Sequence, residues 1–273
     1  TLRVSGNGAL SINTTISVLD LLEYANPGNI DFNNGTIELK GDMQIDNSGI
    51  FGGGNGTILI NGTGNQTITS TAPISSGTLP NVTFDKPSGS FSLVGNTSIR
   101  GTWTYVQGTI GGTGLLAFTN ANTLQGPDHT IPNCSFFFGN YNLAANITVT
   151  SRLNYSGNGN INLNTTNGSQ LFVSGDFEIN NTGGFGGGNS TIVINGTGNQ
   201  TSTSTVAVGQ SRLPNVTFNK PSGTFTLIGN TSINGTWTYV QGFVDGGGFI
   251  AFSNGNTIQG PDHSLPNVGF FSG

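Results

Sequence analysis

The 273-residue chain has two histidines, and both close the same pentapeptide: Gln125-Gly126-Pro127-Asp128-His129 and Gln259-Gly260-Pro261-Asp262-His263. An Asp beside a His can work as an acid–base pair or ligate a metal. Each copy offers only one of each, short of a zinc set, and Gly-Pro-Asp is a turn signal. We therefore expect a structural turn. Glu38, Asp42 and Asp46 form the densest carboxylate group, but only Asp42 recurs, as Asp176. Polysaccharide lyases and hydrolases need clustered carboxylates, often beside Lys, Arg or a metal. With seven Lys and Arg in the whole chain, we assign no catalytic residue, no metal and no cofactor. The loops Phe51-Gly-Gly-Gly-Asn55 and Phe185-Gly-Gly-Gly-Asn189 lack the following helix that a phosphate cradle requires; the strand-like Thr57-Ile-Leu-Ile follows the first, so both read as turns. Cys134 has Val268 as its counterpart, which marks a small buried hydrophobe rather than a reactive thiol.

Other side chains suit binding. Trp103 with Tyr105, and Trp237 with Tyr239, share one face of a Gly-Thr-Trp-Thr-Tyr-Val strand, either as a core position or as a face for a sugar or a neighbouring subunit. Threonine rows (Thr67, Thr69, Thr71; Thr201, Thr203, Thr205) are too few for an ice-binding array. The sequon Asn-x-Ser/Thr occurs 19 times, more than twice what random order of this composition gives: at Asn13, Asn34, Asn55, Asn61, Asn65, Asn81, Asn96, Asn133, Asn146, Asn154, Asn164, Asn167, Asn180, Asn189, Asn195, Asn199, Asn215, Asn230 and Asn234. In a strand, residues i and i+2 share a face. In Asn81-Val-Thr-Phe84 the Val and Phe point inward, which leaves Asn and Thr outside, where a glycan can be carried. All 19 are expected glycosylation sites; outward Asn/Thr ladders inherent to a repeat are the alternative.

The elements that must position these residues come from a duplication. Leu79–Asn133 (LPNVTFDKPSGSFSLVGNTSIRGTWTYVQG…GPDHTIPN) returns as Leu213–Asn267, 134 residues later, and 60 of 89 positions from Phe51 to Gly139 are identical in the second copy without a gap. A fixed long period signals stacked units that bury their faces on their neighbours. A finer repeat of roughly 20–25 residues runs inside it, marked by [Leu/Ile]-Pro-Asn at Leu79, Ile131, Leu213 and Leu265. Alternation predicts strands over 36–40, 44–46, 57–60, 82–84, 90–94, 98–106 and 115–118, with partners 134 later. Residues 17–25 carry apolar side chains at helical spacing (Val18, Leu21, Leu22, Ala25) but are read as an insertion or a short strand.

Charged residues make up 7% and the formal charge is −5, so there is no basic patch for nucleic acid. No apolar run is long enough for a membrane span. Without an initiator Met or a leader, the chain reads as a mature or excised segment.

The expected fold is all-β: a right-handed parallel β-helix built from two repeats, 1–139 and 140–273, as one continuous elongated body. Twelve turns at the strand spacing would span on the order of 60 Å. Tandem β-sandwich domains are the alternative. The phrasing LPNVTFNKPSGTFTLIGNTSINGTWTYVQG resembles repeat segments of bacterial cell-surface and secreted proteins of the parallel β-helix type. That resemblance implies an extracellular or cell-surface fibrous role and carries over no active site.

Residues 1–16 resemble 134–149, and the last residues match Asn133–Gly139, so one copy's end would continue into another's start. We expect a non-catalytic structural subunit of an N-glycosylated filament or stalk. Its partner would be a second copy added head to tail through Leu10, Ile12, Leu265, Phe270 and Phe271. The alternative is a carbohydrate-binding adhesin or a polysaccharide-acting enzyme domain.

Overall fold

The computed structural model describes residues 1–5, 12–25, 34–49, 55–120, 122–183, 186–253 and 255–271. Among them there is no helix; the regular structure is strand throughout. Strands pair in parallel with the neighbour one turn of chain later: Leu22 beside Met43, Met43 beside Ile68, Ile68 beside Leu93. The steps between these partners, 21 and 25 residues, are the fine period of the sequence. The fold is a parallel β-solenoid. Parallel pairing rules out tandem sandwiches, whose sheets are antiparallel.

One turn shows how the walls arise. Asn81–Asp85, Phe91–Val94 and Asn96–Ile99 lie in three different sheets, and Trp103–Gln107 then rejoins the first, with Val82 beside Trp103. Alternation sets the inside. In Thr57–Ile60 the side chains of Ile58 and Ile60 are buried while Thr57 and Leu59 are partly open. A slip of one residue would exchange the two sets, so the apolar pattern fixes the register. Corners need close backbone approach. Gly95 and its copy Gly229 have φ of 77° and 85°, and a Cβ there would meet the carbonyl oxygens of Ser70 and Ser204 at 1.9 and 2.0 Å. Only glycine fits both constraints.

The chain forms two compact units, Thr1–Pro132 and Asn133–Gly273. The first unit's core stacks aromatic rings: Phe84 lies 4.9 Å from Phe91 and 5.9 Å from Trp103, and Trp103 lies 6.2 Å from Phe118. The second repeats this with Phe218, Phe225, Trp237 and Phe252. Truncating one such ring typically costs about 3–5 kcal/mol.

The helical spacing at 17–25 resolves into two strands, Thr15–Val18 and Leu21–Ala25, in different sheets. The expected strand 98–106 is also two, Asn96–Ile99 and Trp103–Gln107.

Candidate functional site

The histidines are clasps. Trp103 Nε1 donates to His129 Nε2 at 3.0 Å, and His129 Nδ1 donates to the Pro127 carbonyl at 2.9 Å. The Tyr105 ring stacks on the imidazole at 4.4 Å and 8°, and its hydroxyl donates to Gly108 O at 2.6 Å. These contacts recur at Trp237, His263, Pro261, Tyr239 and Gly242. Both imidazole nitrogens are engaged, which fixes the neutral Nδ1–H tautomer and leaves no lone pair for a metal. Burial holds His129 below its usual value, against smaller opposing effects of the Pro127 carbonyl and Asp128. Trp103 and Trp237 are core residues, both buried.

The carboxylate group separates in space. Glu38 lies in one sheet, where Ser17 Oγ donates to it at 2.5 Å; Asp42 and Asp46 lie in another. The Ser17 hydrogen bond, ahead of Lys40, holds the Glu38 carboxyl below its usual value. Asp42 accepts from the Thr67 backbone N–H at 2.7 Å, as Asp176 does from Thr201 at 2.8 Å. These are turn-to-turn ties. Among the described residues no three metal-ligating side chains gather. Cys134 is free and fully buried, and burial pushes its thiol well up.

Sequence reasoning missed the most deeply buried cations. Lys86 Nζ donates to Gly62 O (2.8 Å), Gly64 O (2.5 Å) and Gln66 Oε1 (3.0 Å), while Gln66 Nε2 donates to Leu39 O (3.0 Å) and Gly41 O (2.7 Å). Lys220 binds Gly196 O, Gly198 O and Gln200 Oε1, and Gln200 reaches Val173 O and Gly175 O. Each Lys–Gln pair staples three successive turns. Burial lowers both lysines from their usual value. The available signal was their recurrence, in Lys-Pro-Ser-Gly and Gly-Asn-Gln-Thr, in a chain with so few cations.

No family model, curated protein or solved structure matches the chain.

The sequons divide by what their side chains hold. Asn81 Nδ2 donates to Gly56 O at 3.2 Å and its Oδ1 accepts the Thr102 N–H at 2.8 Å; Asn215 does the same with Ser190 O and Thr236 N–H. Asn96, Asn167, Asn230 and Asn234 donate Nδ2 to carbonyls of earlier turns. Asn180 donates to Glu178. A glycan bonds to that same nitrogen. Asn154 is buried, so its sequon is not presented. Asn61, Asn133, Asn146, Asn164 and Asn195 are half-buried. Asn13, Asn34, Asn55, Asn65, Asn189 and Asn199 are exposed, and the Oδ1 atoms of Asn65, Asn189 and Asn199 accept from the Ser90, Thr165 and Thr224 N–H groups.

Of the expected interface residues, Leu10 lies outside the described residues. Ile12 is buried, with its carbonyl against Gly35, and presents no side chain for docking. Leu265 is half-buried. Phe270 is 73% exposed and Phe271 43%. They end the sheet formed by Asn230–Ile233, Phe249–Ser253 and Val268–Phe271. Among the described residues no helix is long and apolar enough to cross a membrane.

Proposed function

We propose that the chain is a non-catalytic structural subunit of an extracellular, N-glycosylated filament or stalk that grows by end-to-end addition of copies. One observation carries the reading: residues at the same place in the repeat differ in burial. Leu124, Cys134 and Phe136 are fully buried, whereas their counterparts Ile258, Val268 and Phe270 are 39%, 37% and 73% exposed. Inside the second unit Phe136 is covered by Tyr141 of the adjoining wall at 4.8 Å and by Tyr155 of the following turn at 5.9 Å. A turn of chain stacked on Val268–Phe271, such as a second copy would bring, would cover Phe270 in the same way. A heterologous contact of this kind does not close on itself and produces a linear polymer. Covering one phenylalanine contributes about 1.5–3 kcal/mol, so several such residues are needed for a stable joint.

Sedimentation of the intact chain over a concentration series tests this. Growing species that Phe270→Asp abolishes support it; a single species with no response to that substitution contradicts it.

A second reading, a carbohydrate-binding side face, draws on the half-open rings of Tyr105 and Tyr239 stacked on the histidines. A saturable signal on a glycan array, lost in Tyr105→Ala with Tyr239→Ala, would favour it.

A further inference from the structure

The end-to-end reading leaves the joint itself unspecified, and the register of the repeat specifies it. In the second unit the Ser156 N–H donates to the Phe136 carbonyl at 3.0 Å, which sets Phe136 beside Tyr155, and Tyr155 pairs in turn with Ile179. In the first unit Val4 pairs with Tyr24, and Tyr24 with Ile45. Ile45 and Ile179 are the same position of the 134-residue repeat, as are Met43 and Phe177 beside them. Tyr24 therefore stands where Tyr155 stands, and Val4 stands where Phe136 stands, one residue away from the Phe137 that the match of 1–16 with 134–149 gives it. Phe270 is the copy of Phe136. The strands Leu2–Val4 and Val268–Phe271 are thus two occupants of one place in the repeat.

Resting on the end-to-end reading, we infer that Val268–Phe271 of one copy takes the place of Leu2–Val4 in the next, with Phe270 seated against Tyr24. The strand to be displaced is weakly held. It is three residues long, and the ion pairs beside it, Thr1 N to Asp20 at 3.8 Å and Arg3 to Glu23 at 3.6 Å, are solvent-exposed. Exposed pairs of this kind contribute little. The incoming strand brings more apolar surface, Phe270 in place of Val4, into a setting where this chain already packs Phe against Tyr. Around the strand to be displaced lies an open groove of about 390 Å³ of mixed lining, with Leu2, Ile16, Val18 and Leu19 beside Thr1, Ser17 and Asp20. Leu19 there is 74% exposed, an apolar side chain open beside the joint. In the exchange the open edge of Val268–Phe271 pairs with Leu21–Ala25, which trades its three-residue partner for a four-residue one.

The exchange fixes neighbours. With Phe270 beside Tyr24, Phe271 lies beside Ala25. If the strand instead added outside Leu2–Val4, Phe271 would lie beside Ser5. Adjacent parallel strands run about 4.8 Å apart, within disulfide reach. The 273-residue chain carrying Phe271→Cys is mixed under mild oxidation with the same chain carrying Ala25→Cys or, separately, Ser5→Cys; the native Cys134 is fully buried and takes no part. The inference expects a covalent dimer with Ala25→Cys and at least ten times less with Ser5→Cys. Linkage to Ser5→Cys alone overturns the exchange and leaves end-to-end assembly standing. Absence of both, with sedimentation showing one small species at every concentration, overturns the exchange and the assembly together. Removal of residues 1–5 provides a second readout: exchange predicts faster assembly because the place is already vacant, whereas outside addition predicts its loss.

Discussion

Lys86 Nζ lies 3.0 Å from Gln66 Oε1, and Lys220 Nζ lies 3.0 Å from Gln200 Oε1. Each lysine is buried with carbonyl and amide oxygens as its hydrogen-bond acceptors, so its ammonium is satisfied by dipoles. Lys86→Met removes three donors and leaves the oxygens of Gly62, Gly64 and Gln66 facing an apolar chain. Buried acceptors left unpaired cost about 1–3 kcal/mol each. Urea unfolding should show a loss of at least about 3 kcal/mol, with Lys220→Met behaving alike. Lys86→Arg should not restore it, because a planar fork cannot reach three oxygens set for a tetrahedral head. A loss under about 0.5 kcal/mol, the range of ordinary surface changes, would contradict this role.

Much of the fold is legible in the sequence because inward residues alternate and the repeat holds them in register. Ile58, Ile60, Val82 and Phe84 are assigned to the interior by pattern alone, and they are buried. Corners are less legible. The alternation from Ser98 to Val106 runs on through Gly101, where a Cβ would meet Asn81 Oδ1 at 2.5 Å and the chain turns from one wall to the next. Spacing alone does not mark that approach. The lysines are marked by recurrence but not by direction: a cation before a Pro-Ser-Gly turn ordinarily points to water, and only the carbonyls of the preceding turn draw it inward. The sequons have two readings for the same reason, since Asn with Thr two residues on is also what a turn-to-turn hydrogen-bond ladder selects.

That overlap gives a glycan map. Site occupancy measured by glycopeptide mass spectrometry on natural material should concentrate at the exposed Asn13, Asn34, Asn55, Asn65, Asn189 and Asn199. Asn81, Asn215 and Asn154 should be bare. Asn81→Ala should cost about 1–2 kcal/mol by removing a donor and an acceptor from the ladder. Full occupancy at Asn81 and Asn215 would contradict the ladder assignment.

His129 supplies the acid response. Its folded value lies below the ordinary imidazole value of 6.5, mainly through burial. Below pH 6.5 the unfolded chain therefore binds a proton that the folded chain refuses, and stability falls as pH drops from 7.5 toward 5. The Trp103 bond requires the unprotonated Nε2, so protonation also breaks the clasp. Unfolding free energy measured against pH should decline across this window, and His129→Gln should flatten that decline. An unchanged slope in the variant would contradict the assignment.

The most direct measurement of the central claim is electron microscopy of native material at a resolution that traces strands. The account predicts linear filaments in which parallel strand stacking continues from one copy into the next, with Phe270 covered at the joint and sugar density at Asn65 and Asn199. Discrete particles with Phe270 open to solvent and bare asparagines would contradict it.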